Sequence, residues 1–260
     1  MDNKLSIKNK SIEKVLQIIT IMAENRGPMR LQDIAKKAEL PESTTLRLVH
    51  TLVSNGFARQ DPYNQYYSLS LKFAYIGSLI KSSIDLRNIA RPYLIDLAKR
   101  CNTSSCIAVE EGRTVLFIDI VESTANDIKA VRHIGSHNPM YCTAIGKFFM
   151  LNYNSKQINE YISTNPLTPY TPKTITTKED LINELEKVRV QGYSINDEEQ
   201  VLGLRCIAAP IFDYNGKIVA GISITDTIFK ITSENIEVFA NAVKNTAEKI
   251  SKELAYNGIK

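Results

Sequence analysis

Nowhere in the chain is there a run of about 18 uncharged apolar residues, and no basic segment followed by an apolar one opens it. A membrane span and a secretory leader are therefore not expected. Cysteine is sparse: Cys101, Cys106, Cys142 and Cys206 are scattered, with no CxxC pair and no spacing of a disulfide framework. The expected compartment is the reducing cytoplasm. A Gly-rich phosphate loop, an internal repeat and a low-complexity segment are all missing. Charge of one sign is also scarce, with a net of only +4.

That small excess is unevenly placed. Residues 1–80 hold 11 Lys and Arg against 7 Asp and Glu, whereas residues 81–260 hold 21 of each. The positive surplus lies in the first third, where a polyanion can be met. With 43% hydrophobic and 23% charged residues in 260, the chain has enough apolar side chains for one or two packed domains.

Helical spacing of Ile12, Val15, Leu16, Ile19 and Met22 predicts a helix over Ser11–Asn25, with Ser11 as N-cap and Arg26-Gly27-Pro28 as its stop. Leu31, Ile34, Ala35 and Ala38 mark a second, short helix. Glu39-Leu40-Pro41 makes a turn, and a third helix runs over Glu42–Ser54 until Asn55-Gly56, with Thr45, Leu48, Val49 and Leu52 inward. Two strand-like stretches, 57–60 and 66–69, flank Asp61-Pro62-Tyr63-Asn64-Gln65 and read as a hairpin. Together these form a winged helix-turn-helix over 1–70. A linker helix follows over 71–84.

Residues 85–260 mix helices and strands without strict alternation, which predicts an α+β domain with a largely antiparallel sheet. The expected helices lie at 86–100 (bent or restarted at Pro92), 143–151, 155–161, 178–191 and 233–255. The expected strands lie at 105–110, 115–121, 128–132, 193–196, 206–213 and 218–225.

In a helix-turn-helix the second helix of the motif enters the major groove with its N-terminal residues at base edges. The outward face of the third helix offers Ser43, Leu46, Arg47 and His50, with Thr44 beside them. Arg47 suits a bidentate contact to guanine, Leu46 a thymine methyl, and Ser43 and Thr44 phosphate oxygens. The hairpin tip lacks Lys and Arg, so Arg59 and Asn64 are its best phosphate contacts.

These runs resemble a known family, the IclR-type bacterial regulators. The likeness rests on Ser11–Ile18, Leu31–Ala35, Leu40–Leu48, Gly56-Phe57 and Asp61-Pro62. It continues through Ala90-Arg91-Pro92, Thr143–Lys147, Gly192–Glu199 and Leu202–Pro210. The resemblance implies a GAF-like effector domain behind the DNA-binding one, a small organic acid as effector, and homodimers or tetramers on palindromic double-stranded operator DNA. It implies repression as the more usual mode. It also implies a pocket at Ala144 and Ile145 with Cys206, Ser223 and Thr225. The family often carries an acidic residue where this chain has Asn196, whose amide both donates and accepts. That favours a hydroxyl or keto group on the ligand.

The residues themselves are compatible with such a pocket. Thr143 to Gly146 opens a helix whose free N–H groups favour an anion, and Ser223 and Thr225 share one side of a strand. They are equally compatible with Thr143 as a plain N-cap and Cys206 as a core residue. His133, His137, Cys142 and Cys206 match no common zinc spacing, and neither a metal nor a cofactor is expected. Asp197-Glu198-Glu199 reads as a solvated loop or a partner for Arg205 rather than as catalytic carboxylates. A nucleophile at Cys142 or Thr143 lacks an oriented base. Two other readings stand beside the regulator: an enzyme that uses the helix-turn-helix for targeting, and a domain that self-associates without sensing.

Overall fold

In the first unit a short run of helices is closed by a hairpin. The computed structural model describes residues 9–25, 27–83, 85–123, 133–256 and 258, without the side chains of 78–83. The chain divides into two units, 1–84 and 85–260, and each has its own core.

Helix α1 (Lys10–Glu24) is capped two residues earlier than expected: Asn9, not Ser11, accepts the N–H groups of Ser11 and Ile12 through its side chain. Helices α2 (Leu31–Ala38) and α3 (Glu42–Ser54) follow. Between them Glu39 adopts a left-handed conformation (φ 53°), which lets the Leu40 N–H return to the Ala35 carbonyl. Gly56 (φ 75°) does the same after α3, so that the Phe57 N–H reaches the Leu52 carbonyl at 2.8 Å. Strands β1 (Ala58–Gln60) and β2 (Tyr67–Leu69) pair antiparallel. Met29 adds a bridge to Tyr67 on the outer side of β2. Ile18, Met22, Ile34, Leu48, Val49, Leu52 and Tyr67 fill the core of this unit. Helix α4 (Lys72–Ser83) ends it.

Among the described residues the second unit is a six-stranded sheet covered on both faces. Helix α5 (Leu86–Cys101) starts at an Asp85 cap and continues through Pro92 without restarting there. Strands β3 (Ser104–Glu111), β4 (Thr114–Val121) and β5 (His137–Pro139) precede helices α6 (Ala144–Met150), α7 (Ser155–Thr164) and α8 (Lys178–Gln191). Strands β6 (Ser194–Asp197), β7 (Leu204–Phe212), β8 (Ile218–Thr227) and helix α9 (Ile236–Glu253) complete the chain. The order is β5-β4-β3-β8-β7-β6, with every pairing antiparallel. The strand expected at 128–132 lies outside the described residues, and β5 was not foreseen.

Alternation along each strand assigns the two faces. Ile107, Ile207, Ile222 and Ile224 point to the side covered by α5 and α9. Cys106, Ala108, Cys206 and Ala208 point to the side covered by α6, with α7 and α8 beyond. Among the described residues no helix is long and apolar enough to cross a membrane.

Candidate DNA-facing helix and ligand site

Helix α3 is amphipathic in the strict sense. Thr45, Leu48, Val49 and Leu52 are buried, while Ser43, Leu46, Arg47 and His50 are exposed and Thr44 is half-buried. The Thr45 hydroxyl donates to the Pro41 carbonyl at 3.1 Å, which ties the inner face to the turn before it. Among the described residues Arg47 enters no ion pair, so its guanidinium stands available on the outer face. Arg59 is exposed on β1 and its Nε donates across the hairpin to Ser68 Oγ at 3.2 Å. Asn64 accepts the Tyr66 N–H within the tip at 2.9 Å.

Helix α6 is built differently. Each of its seven residues is buried. Thr143 caps it, accepting the Gly146 N–H at 3.2 Å and donating to the Pro139 carbonyl at 2.9 Å. A side chain at Gly146 would put its Cβ 2.4 Å from the Met140 backbone, and one at Gly221 on β8 would meet Ile145 Cγ2 at 2.7 Å. Glycine at both places is what lets α6 lie flat on the sheet. The crevice left between them is lined by Phe117, Thr143, Ala144, Ile145 and Ser223, and has no room for a water molecule.

Four of the seven residues assigned to a ligand from sequence thus converge, with Phe117 as an unforeseen fifth wall. Cys206, Thr225 and Asn196 do not line the crevice. Ser223 Oγ lies 3.1 Å from Cys106 Sγ, and the Thr225 hydroxyl donates to Cys206 Sγ at 3.3 Å. Asn196 sits on the edge strand β6, where its amide donates to the Cys142 carbonyl at 2.8 Å and accepts the Glu199 N–H at 2.9 Å.

That edge holds a feature missed from the sequence. Lys147 on α6 is 1% exposed, and its ammonium donates to Glu199 at 2.6 Å, the Ile195 carbonyl at 2.7 Å and Glu184 at 3.0 Å. A lone cation in the apolar run Ala144–Met150 was the signal, because a buried ammonium requires a counter-charge. Glu199 is therefore no solvated loop residue. Burial, together with Glu184's charge, outweighs Lys147 and holds its carboxyl above the ordinary value. The neighbouring Asp197 pairs with Arg205 at 2.6 Å, as anticipated.

Burial also pushes the Cys142 thiol up to about 12, with Glu199 adding to the effect. It stays protonated at neutral pH and is unsuited to nucleophilic attack. His137 on β5 spends Nδ1 on the Thr114 hydroxyl at 2.7 Å.

Comparison with known proteins finds a match for each of the two parts of the chain. Residues 11–62 match the sequence profile of the IclR helix-turn-helix domain. Residues 79–252 match that of the bacterial transcriptional regulator IclR C-terminal domain. The chain is 31% identical to the transcriptional repressor IclR of Escherichia coli K12 over 252 residues, covering 96% of this chain and 91% of that one. It is 28% identical to the transcriptional regulator XynR of the same organism, covering 95% and 97%. The crystal structure of Thermotoga maritima IclR aligns with a TM-score of 0.63 at 32% identity, covering 95% of this chain and 99% of that one. The Agobacterium tumefaciens repressor BlcR aligns at 0.81 and 22% identity, covering 97% and 100%, a likeness of fold.

Proposed function

This chain belongs to the IclR family of bacterial transcriptional regulators and binds DNA as one of them, and we propose that it is a repressor released or retained by a small organic acid. The observation that carries the DNA-binding half is α3, whose exposed Ser43, Leu46, Arg47 and His50 lie opposite a buried apolar stripe. One such helix reads only a few base pairs, so a symmetric pair of copies on two half-sites is the working form. Apolar side chains support self-association: Ile12 and Leu16 on α1 are each 57% exposed, and Leu71 and Tyr75 at the start of the linker helix are exposed as well. Leu79, one turn beyond Tyr75 on that helix, lies outside the described side chains. In this reading 1–70 holds the DNA, 71–84 links, and 85–260 senses and oligomerises.

For the sensing half, a carboxylate would take the N–H groups of Ala144 and Ile145, since Thr143 already occupies that of Gly146. Ser223 would hold a second polar atom. Because the crevice is closed, entry of even a small acid requires α6 and β8 to part. Binding is then coupled to a displacement of α6, and the effector alters operator affinity only by as much as it distinguishes the two arrangements.

The same closed crevice also favours a second reading, in which 85–260 self-associates and senses nothing. One experiment separates them. The full chain is titrated onto a duplex it has selected from a randomised pool, with and without a panel of short hydroxy, keto and aromatic carboxylic acids. An acid that shifts both the DNA affinity and the melting temperature supports sensing. No shift across the panel supports the second reading.

A further inference from the structure

The hairpin tip, 62–65, contains no Lys or Arg. A cation is brought beside it from another part of the chain. Met29 and Tyr67 exchange both backbone hydrogen bonds, each 2.8 Å long. In an antiparallel register that places Arg30 opposite Tyr66. The Arg30 Nε donates to the Tyr66 hydroxyl at 2.7 Å, and the guanidinium carbon lies 5.4 Å from the centre of the Tyr66 ring.

The side chain is thus held at Nε and over one aromatic ring, and no hydrogen bond within the described residues occupies its two terminal amino groups. Arg30 is exposed, and among the described residues it makes no ion pair. Arg30 and Tyr66 form part of the wall of a groove of about 460 Å³, shared with Gln32, Glu42, Gln60 and Asn64. Glu42 is the first residue of α3, so the groove opens beside the end of the helix that reaches base edges. Four of its nine lining residues are amides, and Glu42 is its one carboxylate.

We propose that Arg30, clamped by Tyr66, grips a DNA backbone phosphate flanking the base pairs that α3 reads. The inference rests on the DNA-binding function assigned above. A guanidinium presents paired donors that match phosphate oxygens. Holding it in advance removes part of the ordering cost that a free arginine would bear on binding. Phosphate contacts of this sort fix register without reading sequence. Arg59 is held at Nε by a longer bond to Ser68 and has no aromatic ring contact among the described residues, and Asn64 spends its Oδ1 inside the hairpin, so both are secondary contributors.

The test is a salt titration of the full chain on two duplexes, one selected from a randomised pool and one scrambled. Arg30→Gln should weaken binding to both by the same factor, roughly three- to tenfold, and should flatten the slope of log affinity against log salt by about 0.9 per bound copy. Arg30→Lys should retain the slope and part of the affinity. Tyr66→Phe should keep the slope with an intermediate loss, since the charge remains while its tether is gone. A wild-type slope in Arg30→Gln overturns the proposal, as does a loss confined to the selected duplex, which would mark a base contact. Arg47→Ala run alongside separates the failures. If it weakens the selected duplex while Arg30→Gln changes nothing, only the phosphate assignment falls; if no duplex is enriched at all, the DNA reading falls and takes this one with it.

Discussion

Helices α3 and α6 both open their candidate sites from extended backbone, and both carry hydroxyl residues in or before their first turn. They are built on opposite plans. In α3 the inner face packs and the outer face is left to a partner, so contact chemistry and folding chemistry fall on different residues. In α6 all seven residues are buried and the polar groups serve the fold first. Thr143 caps, Lys147 pairs with two glutamates, and Gly146 makes room for Met140. The difference teaches where a mutation is informative. On the outer face of α3 a substitution reports on binding with little effect on stability, whereas on α6 it reports on stability before anything else.

The largest effect tests α6. Lys147→Met removes one partner of a buried ion network and should destabilise the 85–260 unit by roughly 3–5 kcal/mol, read from the denaturant midpoint by circular dichroism. Adding Glu199→Gln should recover much of that loss, because the cost is the stranded carboxylate. Glu199 also sets the pH sense. Its folded value lies above the unfolded one, so across the interval between them the folded chain holds a proton that the unfolded chain has released. Its contribution is full below the ordinary carboxylate value of 4.5 and declines as pH rises through the raised one. Acidification should therefore shrink the Lys147→Met penalty, and Glu199→Gln should flatten this dependence. A Lys147→Met chain as stable as wild type, at neutral pH, would mean that the network carries no weight.

Next comes α3. Arg47→Ala should cost roughly 1–3 kcal/mol of affinity for a selected duplex while shifting stability by no more than about 0.5 kcal/mol, as at other exposed sites. Equal losses on selected and scrambled duplexes would turn Arg47 from a base reader into a phosphate contact. A clear loss of stability would break the contrast itself.

The same contrast explains what could be read without coordinates. The residue ranges of α2, α3 and α8 follow from one-sided apolar spacing, which a sequence displays directly. A helix buried all round has no polar face to mark its orientation, so α6 was placed to within a residue at each end while its role as the core's keystone stayed hidden. The Lys147–Glu199 bond joins positions 52 apart in sequence, and no local pattern reports such a pairing. The Met29 bridge that sets Arg30 against Tyr66 involves a single residue, too short for any alternation. For the ligand site the residue types were legible, but their convergence was not: strand order puts Asn196 on β6, two strands from Ser223 on β8.

The smallest predicted effect concerns Ser223. Its hydroxyl lies 3.1 Å from Cys106 Sγ, a weak partner at best, so exchanging that contact for a ligand oxygen costs the protein little. Ser223→Ala should leave both folding and effector-free operator binding close to wild type. The acid concentration needed for half-maximal response should rise by roughly fivefold, the equivalent of about 1 kcal/mol for one neutral hydrogen bond. Thr225→Val should do less, since Thr225 does not line the crevice and its hydroxyl bonds to Cys206 Sγ. If the double variant retains the full dose-response, the effector binds away from the α6–β8 seam. If instead Ser223→Ala alone lowers the melting temperature as Lys147→Met does, the seam belongs to the core and the sensing site must be sought elsewhere in 85–260.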